Sequence, residues 1–340
     1  MKLFEERKAK KNETMCKSDG NTTNTASASN SPADELDKQN VFVKIFMKLY
    51  YATPPMVVPV INLSYSFSLV SAVFLLICRT IGEYIMVNVF NWPEGHEKTI
   101  ESRSAISSIC HSTILCTGLI LAFTSYRPYS PSAKFSISPK WWQDYVDCLL
   151  QFCTGYMLYD ALFNILLLRW DIMNGDLYPK YITFDDMLFL VHHIITTWYM
   201  SSTRIIQAGH MSAMCCMLLG ELSNPLHNMY MMADNAITLD CCNGPIGQQM
   251  HYVIEISFAV VYNILRVIIG PIAMIHLSYD ILCTTQGKTN IPLGLRITWT
   301  CMVWIVIFGS FSWIMKCNDI ILKFVHEQVL NEPSVNAAEL

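Results

Sequence analysis

Two adjacent histidines, His192 and His193, lie inside an apolar run, FLVHHIITTWYMSS, at 189–202. The next run carries GELSNPLHN at 220–228, with Glu221, Asn224, His227 and Asn228. A neutral imidazole can take a proton from an attacking amine or hydroxyl near pH 7. A carboxylate nearby can orient the ring or act as a second base. On a helix the two rings point about 100° apart, so one of them faces any given site. His192 is the expected base, because Thr196 and Tyr199 share its face; His193 and Glu221 complete the catalytic candidates.

The same helical spacing gathers other polar side chains into stripes. Arg103, Ser107 and His111 share one face, as do Tyr156, Asp160 and Asn164. His210, Glu221, Asn224 and Asn228 fall roughly on one side of their run, and Tyr262, Asn263 and Arg266 lie one turn apart. Such stripes are expected to line a polar chamber. Arg103, His111, Tyr156, Asp160, Thr196, Asn224, Asn228 and Arg266 would be its substrate-binding residues. The plainer role is packing, since polar groups between membrane helices are worth about 0.6–2 kcal/mol each. Asp160 and Arg266 are also candidates for a simple buried ion pair. A pair of histidines with Asp, Glu and Arg at membrane depth exceeds what packing needs, because ionisable groups there are costly.

The surrounding composition is that of a membrane protein. Hydrophobic residues make up 52% of the chain and charged ones 15%, where a soluble domain carries about 25%. Seven runs are long enough to cross a bilayer wholly or in part: about 57–78, 103–124, 146–168, 186–203, 205–232, 250–278 and 297–325. The run at 186–203 is short, so six crossings remain open. The period of two expected of barrel strands is absent, which leaves an all-α multi-pass transmembrane bundle around a polar chamber.

Residues 1–40 read as a disordered polar tail. Residues 41–55 read as a short interfacial helix with a proline break: Val41, Phe42, Ile45, Phe46 and Leu49 on one face, Lys44 and Lys48 opposite, Pro54 and Pro55 after. The first crossing and its loop fill 56–95, the main domain 96–325 and a short tail 326–340. Lys and Arg concentrate on the side of the N-terminus, which predicts a cytosolic N-terminus. Most of the 13 cysteines lie in apolar runs and read as small buried side chains. Cys241 or Cys242 could still pair with Cys317. Walker, GxGxxG, HExxH and GxSxG motifs are absent, and no metal or organic cofactor is implied.

Four pieces together resemble the TLC-domain family. They are SRSAISSICH (Arg103, Ser107, His111), GYMLYD (Gly155, Tyr156, Asp160), VHHIIT (His192, His193, Thr196) and GELSNPLHN (Glu221, Ser223, Pro225, Asn228). That family includes the translocating-chain-associating membrane protein, the longevity-assurance ceramide synthases and a neuronal ceroid lipofuscinosis protein of the endoplasmic reticulum. The resemblance implies a helical membrane domain around a lipid chamber, usually in the endoplasmic reticulum. In the ceramide-synthase branch a His-Asp pair and a further Asp follow the histidines; here Leu219, Gly220 and Ser223 stand in those places. The chain therefore resembles more closely the non-synthase "TLC domain-containing" branch.

The expected function is lipid binding in membrane lipid homeostasis. The alternatives are an acyltransferase that uses acyl-CoA and His192, and a cargo or trafficking adaptor of the endoplasmic reticulum. Expected partners are membrane lipids, acyl-CoA for the enzyme reading, and a protein cargo or a second copy of the chain. Nothing in the pattern suggests nucleic acid.

Overall fold

The computed structural model describes residues 39–59, 62–128, 130–166, 169–170, 177–178 and 184–330. The expected N-terminal tail, apart from its last two residues, and the end of the C-terminal tail lie outside them. The described chain is helical almost throughout, as an all-α reading requires.

Helix α1 spans Val41–Ala52 and is started by the Asn40 side chain, which accepts from the Phe42 amide at 2.9 Å. Its apolar residues divide between two sides. Val43, Phe46 and Met47 are buried, while Val41, Ile45 and Leu49 stay exposed. The cause is docking: the Phe46 ring packs edge-on against Phe67 and Phe152 at 5.6 and 5.5 Å. After Pro54 and Pro55, a two-residue strand β1 (Val57–Val58) pairs antiparallel with β2 (Leu63–Ser64). This hairpin moves the first long helix downstream of the expected 57–78. Helix α2 runs Ser66–Asn88 and α3 runs Glu97–Ser125.

Helix α4, Lys140–Asp160, continues as a wide π turn at Ala161–Leu166. Two short antiparallel strands, β3 (Arg169–Trp170) and β4 (Leu177–Tyr178), precede α5 at Phe184–Ile206. The expected run at 205–232 is two helices, α6 (His210–Glu221) and α7 (Asn224–Thr238). Gln207 and Gly209 adopt positive φ and separate α6 from α5. Pro225 cannot donate to the carbonyl four residues back and separates α7 from α6.

Helix α8 spans Pro245–Asn263, widens into a π turn at Ile264–Ile269 and continues as α9, Gly270–Cys283. Pro271 accounts for the widening, since its ring would clash with the Val267 carbonyl of a regular helix. The short α10 (Thr285–Asn290), α11 (Leu293–Gly309) and α12 (Phe311–Leu330) follow. Four helical segments among the described residues are long and apolar enough to cross a membrane: Ser66–Asn88, Glu97–Ser125, Pro245–Cys283 and Leu293–Glu327.

Helix α4 is the packing centre, against α2, α3 and α5. Trp142, Tyr145, Leu149, Leu150 and Tyr159 are fully buried. Gly155 permits the closest approach, since a Cβ there would strike the Ser68 carbonyl of α2. The interior is unusually polar and the exterior apolar. Ser68, Ser71, Ser102, Ser107, Ser108, His111 and Ser112 are buried, while Leu69, Val73, Ile77 and Ile81 are exposed. The described cysteines are free. Cys317 lies in a cluster with Phe258, Ala259 and Tyr262, so the pairing considered for it does not form.

Candidate functional site

Helices α3, α4, α5, α6 and α7 bring most of the sequence candidates into one polar cluster. On α5, His193 is buried and its Nε2 lies 2.9 Å from Asp160 Oδ2 of α4. Its Nδ1 meets the Phe189 carbonyl one turn back at 2.5 Å, so each ring nitrogen stands against an oxygen. Asp160, a candidate for a simple ion pair with Arg266, faces His193 instead. His192 turns away from it, its ring 5.8 Å from that of His193 and nearly perpendicular. It is only half-buried, as is Thr196 one turn further on.

On α3, His111 is fully buried, its ring stacked on Tyr156 at 3.8 Å and 7°. His111 Nδ1 lies 3.8 Å from Glu221 Oε2 at the end of α6. Glu221 Oε2 accepts from Asn224 Nδ2 at 2.7 Å across the α6–α7 break. The break therefore serves the site: it turns the first residue of α7 back onto the last carboxylate of α6. Asn228 Nδ2 donates to Ser108 Oγ at 3.0 Å, and Tyr156 Oη donates to the same oxygen at 3.1 Å. Tyr156 also sits 6.2 Å, centroid to centroid, from His193. The two carboxylates thus each face one imidazole, with Tyr156 beside both rings.

Arg266 reaches the edge of this cluster from the α8–α9 π turn. Its Nη2 donates to the Gly220 carbonyl at 3.0 Å, and its guanidinium stands 5.5 Å from the Tyr262 ring centre. Arg103 lies further along α3, its Nη1 2.7 Å from Glu83 Oε1. Ser107, between Arg103 and His111, contacts Tyr159 Oη at 3.1 Å. The side chain of Asn164 is outside the described residues.

Two sequence candidates belong elsewhere. Tyr199 hydrogen-bonds Ser212 and packs on Trp299 at 4.7 Å. His210 stacks on Phe135 at 3.5 Å, away from Glu221. A second polar cluster was not anticipated. Arg204, expected in a loop, is buried at the end of α5, with Nε 2.5 Å from Asp147 Oδ1 and Nη2 2.7 Å from the Ser64 carbonyl. Tyr50 Oη and Gln151 Nε2 donate to the other Asp147 oxygen at 2.8 and 2.7 Å. Burial and the Asp147 carboxylate raise the Tyr50 pKa well above the ordinary phenol range. The sequence signal was Asp147 and Gln151, one turn apart in an apolar run. Among the described residues no group of His, Cys, Asp and Glu is arranged to hold a metal ion.

Comparison with known proteins adds one match. Residues 101–318 fit the family model of the TLC domain. No curated protein and no solved structure matches the chain.

Proposed function

The chain belongs to the TLC-domain family, whose members are generally membrane proteins tied to lipid metabolism, and from that premise we propose that it binds a membrane lipid and acts in membrane lipid homeostasis. In this reading the chain crosses the bilayer seven times, with α2, α3, α4, α5, the broken α6–α7 pair, α8–α9 and α11–α12 as crossings. It resides in the endoplasmic reticulum with a cytosolic N-terminus. His111, Tyr156, Asp160, His193, Glu221, Asn224 and Asn228 line a chamber for the headgroup, with Arg103, Thr196 and Arg266 at its margins. The Leu219, Gly220 and Ser223 departures favour the non-synthase branch.

The supporting observation is two buried imidazoles that face two carboxylates, His193 at 2.9 Å from Asp160 and His111 at 3.8 Å from Glu221. Ionisable groups at membrane depth persist where they face a ligand path or a protein interior. The test is lipid extraction and mass spectrometry of detergent-purified protein. The reading expects a bound lipid that falls sharply in Glu221→Gln; protein that carries no lipid above an unrelated membrane protein would overturn it.

A second reading is supported by His192. Each nitrogen of its neighbour His193 stands against an oxygen, and the partly buried His192 would then be the base. In an acyl transfer, the amine or hydroxyl of a lipid would attack the acyl-CoA carbonyl and give its proton to His192. The C–S bond would break, and the thiolate would take that proton to leave as CoA. Whole-cell lipidomes with wild type and His192→Ala at matched levels decide this. A lipid class that rises with wild type alone supports transfer, and identical profiles exclude it.

A further inference from the structure

Arg79 of α2 and Arg103 of α3 are 4% and 2% exposed. Their helices run antiparallel, with Glu83 opposite Arg103 at 2.7 Å and Gly82 against Ile106. Arg79 therefore lies one turn from the Glu83–Arg103 pair, at the level of Ser107. The Tyr159 hydroxyl, Arg103 and Glu83 are the groups near enough to act on its charge. Nearby acids are committed elsewhere: Glu101 to Lys98 and Asn235, and Asp160 to His193. Two guanidinium charges thus lie near one carboxylate inside the bundle, and that carboxylate is paired with Arg103.

The spare donors have a definite geometry. Arg103 gives Nη1 to Glu83, while its Nε and Nη2 are buried with no partner among the described residues. Those two nitrogens form the side edge of the guanidinium, whose parallel N–H groups match two oxygens of one anion. The Tyr159 and Ser107 hydroxyls are 3.1 Å apart, and Tyr159 is near enough to Arg79 to act on its charge. Buried cations are expected to be paired, and an unpaired one is costly. A carboxylate would use the Arg103 edge alone. A phosphate has further oxygens for Arg79 and the hydroxyls.

We propose that Arg79 and Arg103, with Tyr159 and Ser107, form a buried site for a phosphate group. Either a phospholipid headgroup or free phosphate supplies that chemistry. The phospholipid source rests on the lipid-binding reading above; the anion site itself does not.

The test uses the full-length chain in detergent. Inorganic phosphate is titrated while thermal unfolding is followed, and separately the protein is reconstituted with a mixture of phosphatidylglycerol, phosphatidylcholine and diacylglycerol and its retained lipids are weighed by native mass spectrometry. The expected result is retention of a phosphate-bearing lipid, reduced about tenfold or more in Arg103→Gln and in Arg79→Gln. Arg103→Lys keeps the charge but loses the two-toothed edge, so it should retain an intermediate amount and guards against a folding defect in the Gln variants. Stabilisation by inorganic phosphate without retained lipid would support the anion site and overturn the lipid-binding reading. Retention of diacylglycerol alone would overturn the anion site and leave lipid binding intact. Equal retention and equal phosphate response in wild type and Arg103→Lys would overturn the proposal.

Discussion

The Ser108 hydroxyl accepts from Tyr156 Oη and from Asn228 Nδ2, and so joins α3, α4 and α7 through one oxygen. Ser108→Ala strands both donors in a buried place, and about 1–2 kcal/mol of stability should be lost. Asn228→Ala in the same background should then cost less than it does alone, as thermal unfolding of the double-mutant cycle would show; full additivity would mean that the two groups do not share the oxygen. Asp147 is a harsher case. Removing it leaves Arg204 buried with its charge uncompensated, so Asp147→Ala should destabilise by about 3 kcal/mol, and a near-neutral effect would show the pair to be dispensable. These residues also mark how far sequence reading reaches. Arg103, Ser107 and His111 were visible because the helical period alone places them on one face. Arg79, Asp147 and Arg204 were not, because a single charge in an apolar run shows no partner until the facing helix is docked. His210 was misplaced for a related reason: periodicity assumed one helix from 205 to 232, and the chain breaks twice.

Those breaks are an element-scale property. The Leu222–Ser223 interruption keeps Asn224 within 2.7 Å of Glu221, and the turn widened by Pro271 aims Arg266 at Gly220. Prolines in apolar runs were legible as breaks; the hinge at Gln207–Gly209 was not, because positive φ at Gln207 has no sequence signature. Close helix approach is a second element-scale requirement. Gly155→Ala drives a Cβ into the Ser68 carbonyl, a backbone atom that cannot step aside. Separation of α2 from α4 should cost about 1–3 kcal/mol, read as a lowered unfolding temperature; an unchanged one would show that the two helices yield freely. Helix α1 supplies the third case. Its Tyr50 favours the protonated form in the folded state, because burial and the Asp147 carboxylate oppose ionisation. A folded-state pKa raised above the free value gives stability that is whole below about pH 10 and falls as pH climbs past it. Protease access to α1 should therefore rise above about pH 10 in wild type, and Tyr50→Phe should flatten that dependence; an equal rise in both would assign it to other groups.

At the scale of the whole molecule, the outer surface is apolar where that of a soluble protein is polar, and many polar groups are buried. Serines, histidines and arginines lie buried among an apolar core, while Leu69, Val73, Ile77, Ile81, Ile268, Ile272 and Ile305 face outward. Lipid can solvate such a surface at no hydrophobic cost, and the backbone groups beneath it are paired within helices. The segment Pro245–Cys283 carries the sharpest consequence. It is one helical rod of 39 residues, about 58 Å at 1.5 Å per residue, against a hydrocarbon thickness of about 30 Å. Its π turn adjusts the winding without reversing the direction. In the proposed topology a rod of this length crosses once, tilted or protruding, which would put the residues at its two ends in opposite compartments. Cys242 just before it and Cys283 at its end are both exposed, and each can be kept as the single thiol of an otherwise cysteine-free chain. In sealed vesicles, a membrane-impermeant maleimide should label one of the two and reach the other only after detergent is added. Labelling of Cys283 from the cytosolic face would accord with a cytosolic N-terminus and seven crossings. Labelling of both from one face would mean that the rod lies along the bilayer, and the membrane reading of this segment would fail.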